Sequence, residues 1–224
     1  MEVLGRVVEV VSGMSLDRFF EKEIFSPLGM RDTGFHVPPR SLPRLVDCFE
    51  FIGAPMPTGF KLSTDLERDR SCPAVFLSGG GGLVSTISDY SLFVRCLQRG
   101  GAVDARGTCR LLQPDTVRLM HTNHLPGGQL LSDMTFGGFS ESLSTGGVGF
   151  GLGVSVLQDP SKATGASLSE AEEYGWGGVA STWFMISPKR NMSAILLTQV
   201  IPSSRVQIRN HLKWLVNWAV NKAS

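Results

Sequence analysis

The 224-residue chain has little of what usually announces a function. It has no charge of one sign to spare, with 21 basic residues against 20 acidic ones. A protein that grips a phosphate backbone normally shows a basic stripe, and Arg205, Arg209, Lys213 and Lys222 make only a thin scatter on one predicted helix, so no nucleic-acid partner is expected. No run approaches the roughly 18 apolar residues of a membrane span, so none is expected. Met1-Glu2-Val3 has no basic leader, and Arg6 and Glu9 interrupt the valines that follow. No signal peptide is therefore read, and the default compartment is the cytoplasm. Only four cysteines occur, Cys48, Cys72, Cys96 and Cys109, none of them in a C-x-x-C pair. That speaks against a zinc site or a dense disulfide scaffold and for reduced, structural thiols. Disorder is excluded as well, because 42% of the residues are hydrophobic and the net charge is only +1. Length and composition fit one sizeable domain or two small ones.

Several chemical signatures are also missing. There is no G-x-S-x-G, and no serine is followed three residues later by lysine. The glycine run Gly79 to Gly82 lacks the G-K-[ST] ending of a phosphate cradle and reads as a tight loop lining a cleft. His121 and His124 are three apart, but Asn123-His124-Leu125-Pro126 leaves the helix, so they read as loop anchors and no metal is expected. Glu172-Glu173 reads as a solvated pair. Nothing calls for a cofactor.

What is abundant is glycine, at 26 residues against 12 prolines. Around it, the spacing of Val3, Leu4, Val7, Val8 and Val11 predicts a helix with a buried stripe, stopped at Ser12-Gly13. A second helix starts at Ser15, with Leu16, Phe19, Phe20 and Ile24 as its apolar face, and ends at Pro27 and Gly29. Residues 36–82 are rich in Pro, Gly and Asp and read as a long surface loop with little regular structure. Ser88 and Asp89 are expected to cap a helix carrying Tyr90, Phe93, Val94 and Leu97, closed by Gly100-Gly101. Pro114 opens a short helix with Val117 and Met120.

After residue 125 the period changes. A Gly/Ser-rich connection, 126–147, leads to a stretch in which Val148, Phe150, Leu152, Val154 and Val156 alternate with small residues, predicting one strand with a buried face. Thr182 to Ile186 and Ala194 to Val200 read as a hairpin around Ser187-Pro-Lys-Arg-Asn191. Ser203 or Ser204 then caps a last helix whose stripe is Ile208, Leu212, Leu215, Val216 and Ala219. Helices first, then antiparallel strands, then a helix describe an α+β fold.

One segment invites a chemical reading from the residues alone. In Tyr174-Gly-Trp-Gly-Gly-Val179, glycines beside two large aromatics leave a backbone N–H free to face an open space, which suits an oxyanion. A glycine-rich strand edge plugged by Trp176 is the structural alternative.

The same segment completes a resemblance. Leu4-Gly-Arg-Val-Val-Glu-Val-Val-Ser-Gly13, Ile24-Phe-Ser-Pro-Leu-Gly-Met-Arg-Asp-Thr-Gly-Phe35, Ser78-Gly-Gly-Gly-Gly-Leu-Val-Ser-Thr86 with Asp89-Tyr90, Gly149-Phe-Gly-Leu-Gly153 and the Tyr174–Val179 motif occur in that order. Together they resemble the serine β-lactamase-related family of class C β-lactamases, D-alanyl-D-alanine peptidases and family VIII esterases. The resemblance implies an antiparallel sheet with packed helices plus a helical region, with the active site between them. It also implies serine acyl transfer: a serine in S-x-x-K attacks a carbonyl, the lysine and a tyrosine in Y-x-[NS] handle its proton, and a third motif borders the oxyanion hole. Trp176-Gly177-Gly178 matches the W-x-G form of that third motif. By position, the Val179 backbone N–H then faces the oxyanion beside Gly178, with Tyr174, Trp176 and Gly177 on the substrate edge.

S-x-x-K and Y-x-[NS] are absent, and the resemblance places both ahead of a segment like Leu4 to Ser12. The expectation is therefore an incomplete β-lactamase/transpeptidase-like domain over 1–224, its N-terminal strands and nucleophile helix missing. It comprises a mainly helical region (1–125, with the long loop 36–82), the connection 126–147, and the strands and C-terminal helix of 148–224. Met1 is then an internal methionine of a longer serine hydrolase, esterase-like more than β-lactam-cleaving, with a small ester or amide as substrate, and these 224 residues alone do not acylate. The alternative is a non-catalytic binding or scaffolding relative that pairs its open sheet edge with a protein partner.

Overall fold

The computed structural model describes residues 1–53, 58–64, 69–134, 146–163, 168–203 and 207–223. They gather into two compact units, Met1–Val46 with Thr64–Leu112, and Asp47–Ser63 with Gln113–Ser224.

The first unit is helical. α1 (Glu2–Ser12) ends where Gly13 turns left-handed at φ 68. α2 (Leu16–Phe20) continues through a π-helical turn, Glu21–Phe25, into α3 (Ser26–Leu28), so Pro27 starts this last turn and Gly29 alone stops it. Phe25, Leu28, Met30 and Cys96 form the buried core, flanked by Phe20, Ile24, Leu92 and Phe93. α4 (Ile87–Gln98) is capped two residues earlier than Ser88 suggests, by the Thr86 hydroxyl, which accepts from the Asp89 N–H at 3.2 Å. The Asp89 carboxylate is thereby free to accept from the Asp32 N–H (2.7 Å) and the Thr33 hydroxyl (2.8 Å), tying the loop after α3 to the start of α4.

The glycine run is clamped to α1. The Glu2 carboxylate accepts from the Ser78 hydroxyl (2.5 Å) and the N–H groups of Gly79 (2.9 Å) and Gly80 (3.2 Å). Those bonds, the Ser78 hydroxyl first, hold the Glu2 carboxyl below its ordinary pKa. A Cβ on Gly79 would stand 2.5 Å from the Met1 carbonyl oxygen, so only glycine lets the loop come this close.

The α1 stripe does not behave as its spacing predicts. The helix forms, but Val3, Leu4, Val7, Val10 and Val11 are exposed, while Gly5 faces the core. Glu2 and Glu9 hold the helix in this orientation through hydrogen bonds to the glycine loop and to the Leu16 N–H (3.1 Å).

The second unit holds both sheets. The segment expected as loop contributes β1 (Phe49–Ile52) and β2 (Gly59–Leu62), an antiparallel pair that β8 (Val200–Ile201) joins in parallel to β1. Pro55 and Pro57, part of the reason for expecting a loop, lie outside the described residues. The larger sheet is fully antiparallel, in the order β3 (Val148–Phe150), β4 (Ser155–Leu157), β5 (Tyr174–Gly177), β6 (Trp183–Ser187), β7 (Met192–Leu196). The single strand expected over 148–156 is thus a hairpin. Gly153, at φ 86, makes the turn that period-two alternation alone does not reveal.

α5 (Pro114–Met120) opens at Pro114 as expected. α6 (Ile208–Ala223) is rotated relative to its predicted stripe: Leu215 is exposed and Asn217 fully buried. Polar partners turn it. Arg190 donates to the Asn217 side-chain amide oxygen (Oδ1) at 2.5 Å, and the Lys213 ammonium lies 3.2 Å from the buried Glu173 carboxylate. Glu173 is therefore a buried ion-pair member, not a solvated acid. The expected Ser203 or Ser204 cap adjoins 204–206, outside the described residues.

Candidate active site

β5 and β6 pair from Tyr174↔Ile186 to Gly177↔Trp183, and a short turn, 178–182, joins them. The Gly178 N–H donates to the Thr182 carbonyl (2.9 Å) and the Ser181 N–H to the Gly178 carbonyl (3.1 Å). Ser181 sits at φ 67, a left-handed conformation that costs a non-glycine residue about 1–2 kcal/mol. Its neighbours hold it there. The Ser181 hydroxyl donates to the Val200 carbonyl (2.7 Å), and the Ala180 carbonyl accepts from the Thr198 hydroxyl (2.8 Å) and the Val200 N–H (3.2 Å). With Ala180 and Ser181 drawn inward, Val179 is left outward, 61% exposed. Among the described residues, none accepts a hydrogen bond from its N–H.

That N–H belongs to the Gly178–Val179 peptide, and Arg209 grips the other end of the same group. The guanidinium on α6 donates to the Gly178 carbonyl oxygen and, at 3.5 Å, to that of Ser181. Burial lowers the Arg209 pKa, but an arginine stays charged. A cation on the carbonyl oxygen polarises the peptide and strengthens its N–H as a donor. Arg209 escapes a reading that counts charges. The available signal is the i, i+4, i+8 spacing of Arg209, Lys213 and Asn217, which puts a polar stripe on one helix face.

The expected substrate-edge residues separate. Trp176 is 37% exposed and meets Phe150 edge to face, ring centroids 5.2 Å apart at 78°. Gly177 makes room for Arg209, because a Cβ there would stand 2.8 Å from the guanidinium carbon. Tyr174 does not lie on that edge. It is 4% exposed and stacked on His121, 4.5 Å between centroids at 5°. The end of α5 covers it, so its place is the support of the strand. His121 is accordingly more than a loop anchor: burial against the tyrosine lowers its pKa. His124 faces the Leu119 carbonyl at 2.8 Å.

A sequence model described as Beta-lactamase matches residues 1–217. The chain belongs to the beta-lactamase family. An uncharacterized protein of Mycobacterium tuberculosis is 30% identical over 208 residues, 92% of this chain and 49% of the relative. The structure of EstCE1, a hydrolase with promiscuous acyltransferase activity, is similar at 27% identity with a TM-score of 0.69, covering 97% of this chain and 54% of that one. Simvastatin synthase of Aspergillus terreus shares the fold at 20% identity and a TM-score of 0.74, over 98% of this chain and 52% of that one. The fold is thus β-lactamase/transpeptidase-like, and the chain spans about half the length of the relatives it matches.

Proposed function

We propose that this chain is the oxyanion-hole half of a serine acyl hydrolase or acyltransferase. The observation that carries this reading is the N–H of the exposed Val179, which has no acceptor among the described residues, on a peptide whose carbonyl is held by Arg209. In acyl transfer the attacked carbonyl oxygen gains negative charge, and a fixed donor aimed at it is worth about 2.7–4 kcal/mol of barrier. The hydroxyl that attacks belongs to an S-x-x-K segment, which these residues do not contain, so the 224 residues alone do not acylate.

The substrate is an ester more readily than a β-lactam. Where a lysine of the third motif would offer a cation to a substrate carboxylate, Trp176 offers an aromatic face backed by Phe150. Arg209 is committed to the Gly178 and Ser181 carbonyls. The test joins this chain to an S-x-x-K segment and compares p-nitrophenyl esters with a carboxylate-bearing chromogenic cephalosporin. Turnover of the ester is expected to dominate, and Trp176→Lys to shift the ratio toward the cephalosporin. A wild-type preference for the cephalosporin contradicts the ester reading.

A second reading, a non-catalytic scaffold, draws on the end position of β7 and on the exposed Trp214–Trp218 stack of α6 (6.2 Å, 17°). Its mark is a stable complex with a protein partner that persists when Arg209 and Trp176 are replaced and that never acylates.

A further inference from the structure

The helical unit holds a cavity of about 620 Å³, a size that suits a small molecule, and every residue lining it belongs to that unit. The buried side chains Phe25, Phe35 and Val37, with the more exposed Met14, Val84 and Leu45, give it an apolar lining. Hydrogen bonds fix the frame. Gly34 and Val84 exchange both backbone bonds (3.1 and 2.8 Å), and the Thr33 and Ser85 hydroxyls meet at 2.8 Å. Arg44, at the end of the 3-10 turn Pro39–Arg44, reaches the Asp32 carboxylate at 2.9 Å. A cavity held open in this way costs little to reorganise when a ligand enters.

The charges around the cavity do not cancel. Its lysine and arginine side chains are Arg18, Lys22, Arg31 and Arg44, and its acids are Asp17, Glu21 and Asp32. Asp32 is held by Arg44, Lys22 pairs with Glu23 at 3.0 Å, and Glu21 accepts the Ser26 hydroxyl at 2.6 Å. Among the described residues, Arg18 and Arg31 are left without an ion pair, against Asp17 alone on the acidic side.

We propose that this cavity binds a small amphiphilic carboxylate of the medium-chain fatty acid class, its alkyl chain against Phe25, Phe35 and Val37 and its carboxylate at Arg18 and Arg31. Each methylene taken out of water there favours binding, and a guanidinium fork matches a carboxylate in geometry and charge. An alkylammonium head would meet two unpaired cations, and an alcohol would leave both unused. The Val179 turn belongs to the other unit, so the site stands whether or not the chain takes part in acyl transfer.

The test titrates the 224-residue chain with decanoate, decylammonium and decanol, each below the concentration at which it forms micelles, by calorimetry and methyl NMR. Decanoate is expected to bind one-to-one, to shift the methyl signals of Met14, Val84 and Leu45, and to bind at least about tenfold more tightly than either other head group. Arg18→Gln with Arg31→Gln, both at exposed positions, should leave the circular dichroism and melting of the free chain unchanged. The pair should weaken decanoate by at least about tenfold and leave decanol unaffected, which a loss of fold would not do. Leu45→Asp, also exposed, should weaken decanoate and decanol alike. Val7→Asp, on the apolar side of α1 and outside the cavity, should change neither. No saturable binding, decanol or decylammonium bound as tightly as decanoate, decanoate binding indifferent to the arginine substitutions, or binding lost in Val7→Asp overturns the proposal.

Discussion

The Arg209 guanidinium and the Val179 N–H sit at opposite ends of one peptide group, because the carbonyl that Arg209 holds is that of Gly178. Replacing Arg209 by Gln removes the charged hydrogen bonds to Gly178 and Ser181. The expected loss is about 1.5–3 kcal/mol in chemical denaturation, with slower base-catalysed exchange of the Val179 amide, which has no acceptor to protect it and loses the cation that polarises it. Arg209→Lys should recover part of the stability and less of the fast Val179 exchange, since a point charge cannot span two carbonyls as the planar fork does. Gly177→Ala should reproduce the exchange effect with Arg209 intact, because its methyl displaces the guanidinium. Equal Val179 exchange in all four proteins would detach Arg209 from the turn.

Glu173 and Lys213 make a second pairing that the energetics can expose. Glu173 Oε2 is buried, has no well-aligned hydrogen bond and lies 3.2 Å from the Lys213 ammonium, so charge attraction is its compensation. Lys213→Met should cost about 3–5 kcal/mol by stranding the carboxylate. Adding Glu173→Leu should return most of that loss. Additive losses in the double variant would show that the two side chains do not act as a pair.

The His121–Tyr174 stack predicts a pH dependence of stability. Burial lowers the His121 pKa in the folded protein, so between that value and the unfolded value of about 6.5 the unfolded chain binds more protons. Stability therefore rises with pH through the interval just below about 6.5 and flattens above it. The lowered carboxyls Glu2, Glu9, Asp104 and Asp159 act in a more acid range, below their ordinary carboxylate values. Denaturation curves from pH 5 to 8 should show the slope in the wild type and lose it in His121→Phe, which keeps a ring on Tyr174. A slope that survives the substitution assigns the effect elsewhere.

Local signals carried most helices into view: Gly13, Gly29 and Pro114 stand at the ends the sequence predicts, because capping depends on a few adjacent residues. What the sequence hid is orientation. Val3, Val7 and Val11 have a core-facing period but point outward, while Glu2 on the same helix bonds Ser78, Gly79 and Gly80, far along the chain. Leu215 likewise yields the inner face of α6 to Arg209, Lys213 and Asn217, whose partners lie in the loop before β5, the β5–β6 turn and the β6–β7 turn. The β1–β2 hairpin is hidden because β8, its third strand, comes some 140 residues later. At the site, the motif places Trp176 and Val179 in their strand and turn. It misplaces Tyr174, whose cover by His121 is a tertiary fact.

The central claim is that this chain supplies an oxyanion donor to a serine it does not carry. Intact-protein mass spectrometry after incubation with a β-lactam and an activated ester tests it most directly, on the 224-residue chain alone and on the chain joined to an S-x-x-K segment. The account predicts no covalent adduct on the chain alone, and one acyl group per joined molecule, mapping to the serine of S-x-x-K. A stoichiometric adduct on the 224 residues alone, or a folded joined protein that stays unlabelled, contradicts it.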